Sequence, residues 1–145
     1  MEVSVRKILA AIAFLLAARD PRLAAQVTTA TFYGIVTDAT GNVYVAAGAA
    51  IDKFSNTGVP ILTWGTQGTG PGQFVSVYGL AIDSAGNVLA TDEAGRVQKF
   101  SPTGTFLGSW GVNLQSPRGI AIDRDGFVFV SETLGHGVDR LDLRQ

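Results

Sequence analysis

The sequence predicts an all-β fold assembled from repeated four-stranded units. The phrase Gly79-Leu80-Ala81-Ile82-Asp83-Ser84-Ala85-Gly86-Asn87-Val88 recurs with small changes as Gly34 to Val43 and as Gly119 to Val128. A second set of landmarks keeps step with it: Phe54, Phe100 and Leu141, and Trp64 with Trp110. Periods of about 40 to 46 residues with several short strands per unit select propeller blades over helical solenoids.

The second copy shows each element in turn. Gly79 to Asp83 is an apolar run that predicts a first strand. Asp83-Ser84-Ala85-Gly86 predicts a turn in which the carboxylate accepts local backbone N–H groups and Gly86 takes a positive φ. Asn87 to Thr91 predicts the second strand. After a turn over Asp92 to Gly95 comes a third, Arg96 to Phe100, in which Val97 and Lys99 alternate with Gln98 and Phe100. The turn Ser101-Pro102-Thr103-Gly104 leads into a fourth, Thr105 to Trp110. The three units fall at about 31–65, 74–111 and 116–145, and the third stops before any strand matching Phe106 to Trp110.

Pro71-Gly72-Gln73-Phe74, Gly79-Leu80-Ala81-Ile82-Asp83, Gly86-Asn87-Val88, Arg96-Val97-Gln98-Lys99-Phe100 and Phe106-Leu107-Gly108-Ser109-Trp110-Gly111 together resemble an NHL repeat. The resemblance covers almost everything after residue 30. It implies a partial β-propeller of about three blades, with the first strand of each blade lining the central channel and the fourth outermost. Departures from the pattern carry expectations of their own. The acidic residue that follows the second strand is Asp92 in the second copy and Glu132 in the third, but Ala47 in the first, which therefore lacks the polar clasp that Asp92 and Arg96 can form. Proline before the repeat glycine occurs only as Pro117, where the other copies have Val77 and Phe32. Three blades are half of a common six-bladed ring. Open blade faces and an unpaired edge are therefore expected, with self-association through those faces or a fragment of a longer propeller as the alternatives.

The first 25 residues differ in kind. Arg6 and Lys7 precede the apolar run Ile8 to Ala18, and Leu23-Ala24-Ala25 supplies small residues before Gln26. That layout predicts a secretory signal over residues 1–25 and a secreted or periplasmic mature chain. The run is shorter than the roughly 20 residues a membrane span needs. A helix packed on the propeller is the alternative. The whole chain carries net charge −1 with no basic run, which argues against a nucleic-acid surface. It has no cysteine and a single histidine, His136, so disulfides, thiolate zinc sites and a histidine-rich metal centre are all excluded within one chain.

Functional residues are expected on the rim of the channel. Strand alternation brings the loop before the first strand and the loop between the second and third strands to the same end of each blade. Tyr33, Tyr78 and Arg118 hold equivalent positions before the repeat glycine, and Asp92, Glu93, Arg96, Glu132 and His136 lie on neighbouring loops. These types suit a mixed aromatic and polar binding face. The plainer alternatives are that Asp92 and Arg96 bond each other and that His136, between Gly135 and Gly137, is a solvated turn residue.

Asp123-Arg124-Asp125-Gly126 begins like a calcium loop but runs into the strand-like Phe127-Val128-Phe129-Val130, so Asp38, Asp83 and Asp123 are expected to form turns and no metal or cofactor is expected. Trp64 and Trp110 are expected to pack between blades. Related six-bladed propellers include lyases and lactonases. Here His136 with Glu132 is the only candidate acid and base pair, with nothing visible in the sequence to orient it. The sequence thus points to a non-catalytic binding or scaffolding module for protein, peptide or glycan. The alternative is the N-terminal half of a propeller lyase or lactonase whose catalytic residues lie in other blades.

Overall fold

The computed structural model describes residues 34–111 and 113–143. The secretory signal expected over residues 1–25 and the rim candidate Tyr33 lie outside the described residues. Thirteen strands follow one another: β1 (Ile35–Thr37), β2 (Val43–Ala47), β3 (Ala50–Phe54), β4 (Pro60–Trp64), β5 (Thr66–Gln67), β6 (Gln73–Phe74), β7 (Val77–Ile82), β8 (Val88–Asp92), β9 (Arg96–Phe100), β10 (Phe106–Trp110), β11 (Pro117–Ile122), β12 (Val128–Glu132) and β13 (Gly137–Leu141). β1 to β4 and β7 to β10 form two four-stranded antiparallel meanders, and β11 to β13 a three-stranded one. These are the expected β-propeller blades. A short parallel pair, β5 with β6, lies between the first two and has no counterpart in the sequence expectations.

The turns after β1, β7 and β11 share one construction. In each, the aspartate accepts two backbone N–H groups through Oδ1: Thr40 and Asn42 on Asp38, Ala85 and Asn87 on Asp83, Asp125 and Phe127 on Asp123. The glycine that closes the turn has a φ of +85, +84 or +85° at Gly41, Gly86 and Gly126, a region where a side chain is strained. Asp38 is held down at about 2: burial works to raise its pKa, but hydrogen bonds from Thr40 and Asn42 outweigh it. Asp83 is likewise lowered, burial being outweighed by Lys99 and Asn87.

The repeat glycines are where blades meet. β1 and β2 lie against β7, and β7 against β11. A Cβ on Gly34 would strike the carbonyl oxygen of Tyr78, and one on Gly79 that of Arg118. First strands approach this closely only without a side chain, which accounts for Gly34 and Gly79. Gly119 meets only Ser131 among the described residues.

Among the described residues, two apolar clusters fill the spaces between blades. Tyr44, Ile51, Phe74, Val88 and Phe100 occupy the first junction, and Leu89, Val97, Val128 and Val130 the second. The middle blade is covered on both faces, so β8 is buried along its whole length and even Gln98 of β9 is inaccessible. β13, at the edge of the third blade, leaves Val138 67% exposed. No helix among the described residues is long and apolar enough to cross a membrane.

Candidate binding site at the blade rim

The end of the blades opposite the aspartate turns gathers the expected rim residues. In the middle blade, Arg96 pairs with the fully buried Asp92 at 3.0 Å and also donates to the carbonyls of Thr69, Gly70 and Gln73. Asp92 Oδ1 accepts the backbone amides of Val75 and Ala94. Gln98 completes the group, accepting from Gly72 N–H and donating to the Gln73 carbonyl. These three side chains pin the loop that holds β5 and β6. The Asp92–Arg96 pair was legible in sequence. Gln98 was not identified, although a polar residue between Val97 and Phe100 was its signal.

The third blade repeats part of this construction. Glu132 Oε1 accepts Gln115 N–H at 2.6 Å, matching the Asp92 bond to Val75. The position of Arg96 is taken by Gly137 and that of Gln98 by Asp139, so the rest of the clasp is gone. His136 is exposed with φ +51°, a turn conformation, and among the described residues no hydrogen bond or ion pair joins it to Glu132. Glu93 is exposed, with its backbone N–H donated to Ser76.

Tyr78 and Arg118 come together. They hold equivalent places in adjacent blades, and the Arg118 guanidinium carbon lies 3.7 Å from the centre of the Tyr78 ring. Both are partly exposed. The contact depends on Gly79, because a Cβ there would strike the Arg118 carbonyl and hold the two first strands apart. A stacked guanidinium keeps donors in its plane for carboxylate, hydroxyl or carbonyl acceptors. Among the described residues no group of three or more His, Asp or Glu side chains is placed to hold a metal.

No protein-family model matches the chain. Among curated proteins it is similar to the rat E3 ubiquitin-protein ligase TRIM71, with 32% identity over 55 residues covering 37% of this chain and 6% of that protein. It is also similar to Protein lin-41 of Caenorhabditis elegans, with 34% identity over 64 residues covering 43% of this chain and 6% of the relative. Among solved structures, a Bacteroides caccae protein of unknown function superposes with TM-score 0.62 at 20% identity, over 79% of this chain and 43% of the other. A streptogramin B lyase superposes at 0.57 and 20% identity, covering 41% of that chain, and the virginiamycin B lyase of Staphylococcus aureus at 0.58 and 18%, covering 42%. The chain therefore spans less than half the length of these structures, and the likeness at such identities shows the β-propeller fold alone.

Proposed function

We propose that this chain is an exported NHL-type propeller segment that binds protein, peptide or glycan at its rim and has no catalytic activity of its own. The observation that carries the proposal is the division of labour on the rim. Asp92, Arg96 and Glu132, the residues most able to move protons or bind charge, are engaged with backbone amides and carbonyls of their own blades. Arg118, stacked on Tyr78, presents its guanidinium across the join between two blades, and Glu93 and His136 are exposed on the loops that follow the second strands of those blades. That is recognition chemistry, directed at acceptor-rich ligands.

The test is a screen of the purified chain against glycan and peptide arrays, followed by titration of any hit with the wild type, Arg118→Ala and Tyr78→Ala. Loss of binding in both variants, with unchanged thermal unfolding, supports the rim assignment. Binding unaffected by either places the ligand elsewhere. The mass of the mature chain recovered from the periplasm or medium tests export and cleavage after Ala25.

A second proposal follows from the lyase structures: this chain supplies the first blades of a propeller lyase or lactonase whose reacting groups lie in blades outside this sequence. The fold likeness to two lyases favours it, but fold hosts many activities. Turnover of streptogramin B by this chain alone would contradict the non-catalytic proposal.

A further inference from the structure

The two junctions between blades are built from equivalent positions, and one position differs in a way that leaves space. In the first junction Tyr44, opposite Val36 and Lys53 in the sheet, projects its fully buried ring between the blades. Its hydroxyl donates to Asp38 Oδ2 at 3.1 Å. Lys53 Nζ stands 5.0 Å from the ring centre and donates to the Pro102 carbonyl of the next blade. In the second junction the same register places Leu89 opposite Ala81 and Lys99. Leucine stops short of the place that the far half of a tyrosine ring and its hydroxyl would reach. Beside Leu89 lies a solvent-open pocket of about 170 Å³ lined by Asp83, Leu89, Lys99, Ile122, Val128 and Leu143, with the exposed Ser84 and Gly126 at its mouth. Its volume is of the order that holds one benzene-sized ring, roughly 150 Å³.

The polar groups have rearranged to match. Asp38 Oδ2 takes the Tyr44 hydroxyl and the Asn42 amide, whereas Asp83 Oδ2 takes Lys99 Nζ at 2.7 Å and the Asn87 amide. Lys99 Nζ thus bonds the carboxylate oxygen that corresponds to the one bonded by the Tyr44 hydroxyl in the first junction. A phenol in the pocket finds both partners that its hydroxyl needs, a carboxylate to accept its hydrogen bond and an ammonium to donate to its oxygen. Apolar walls from Leu89, Ile122 and Val128 receive the ring.

The geometry points to this pocket as a binding site for a small free phenol, its hydroxyl on the Asp83 carboxylate as the Tyr44 hydroxyl is on Asp38. Orientation separates a free phenol from a tyrosine on a peptide. The Tyr44 ring enters from the strand, with its hydroxyl toward the turn end of the blade. A ligand copying it has its hydroxyl at the mouth beside Asp83 and its para substituent inward against Leu89. A peptide tyrosine enters hydroxyl first and would leave that hydroxyl against Leu89, away from Asp83.

The experiment is titration of the full chain with p-cresol, which is the tyrosine side chain without its backbone, followed through the methyl NMR signals of Leu89, Ile122 and Val128. Saturable binding is expected, with toluene about tenfold weaker because it lacks the hydroxyl bonded to a charged group. Leu89→Tyr and Leu89→Phe both extend into the pocket, the second without a hydroxyl, and p-cresol binding is expected to be lost in each variant that retains a cooperative unfolding transition. Absence of saturation with the wild type at millimolar p-cresol overturns the inference. So does binding retained in a folded Leu89 variant. Toluene binding as tightly as p-cresol overturns the assignment of the hydroxyl to Asp83. N-acetyltyrosinamide binding as tightly as p-cresol overturns the choice of a free phenol.

Discussion

The first and second blade junctions occupy equivalent places in the repeat yet are sealed by different means. The first is an aromatic cluster: Trp64 lies 6.1 Å from both Tyr44 and Phe100, and Phe100 lies 5.5 Å from Phe74 and 5.9 Å from Phe106. The second has Leu89, Leu114 and Leu141 at the positions of Tyr44, Phe74 and Phe100, with a cavity at its turn end. It compensates with polar bridges. The Thr91 hydroxyl accepts Gly79 N–H at 2.7 Å and donates to the Arg118 carbonyl at 3.1 Å, joining the two blades, where the first junction has Ala46. Arg118 on Tyr78 adds a further tie. The aromatic junction has a polar cost of its own, since Trp64 Nε1 is buried without a hydrogen-bond partner among the described residues. One repeat scaffold therefore tolerates either apolar volume or directed hydrogen bonds at the same interface.

Removing a single aromatic should separate the junctions most clearly. Phe100→Ala takes the hub from the first cluster and is expected to destabilise by about 3 to 5 kcal/mol, while Leu141→Ala, at the equivalent but partly exposed position, costs clearly less. Equal losses in chemical denaturation would remove the distinction drawn here. Next in size is Gly86→Val, which forces a β-branched residue to φ +84° in a turn that both junctions share in form, at about 1 to 3 kcal/mol. A melting temperature equal to wild type would contradict the turn geometry.

Thr91→Val tests the hydroxyl bridge. It preserves shape but leaves the buried Gly79 N–H without its acceptor, so about 1 to 2 kcal/mol should be lost. The loss should weaken the attachment of the third blade and leave the first junction's exchange protection unchanged. The smallest effect is that of acid. Asp38 is held near 2, below the roughly 3.9 of an unfolded aspartate, and Asp83 is lowered too. Their contribution is complete above about pH 4 and is lost as pH falls toward 2. Asp38→Asn should be less stable at pH 6 and show a flatter decline in melting temperature below pH 4.

Features governed by neighbours in the chain were legible in sequence. The aspartate turns, the strand spans and the pairing of Asp92 with Arg96 all follow from residues within about five positions of one another. Trp64 packing against the next blade was also anticipated from its place in the repeat. What escaped depends on contacts between units. The parallel β5–β6 pair exists because Arg96 and Gln98, more than twenty residues downstream, hold its loop. The Thr91 bridge needs the carbonyl of Arg118 in the next blade. The cavity needs Tyr44, Leu89 and Phe129 to be seen as one aligned position, and also needs the knowledge that this position faces the neighbouring blade. At the rim, sequence brought the right loops to one end, but the stacking of Arg118 on Tyr78 depends on how closely bare first strands approach.

Hydrogen exchange of the intact chain, read strand by strand, tests the unequal junctions most directly. The amides of β2, β3, β8 and β9, which flank or adjoin the aromatic junction, should be the slowest, and those of β12 and β13 should open earlier and separately. Uniform protection across all three blades, or slowest exchange in β12 and β13, would contradict the account.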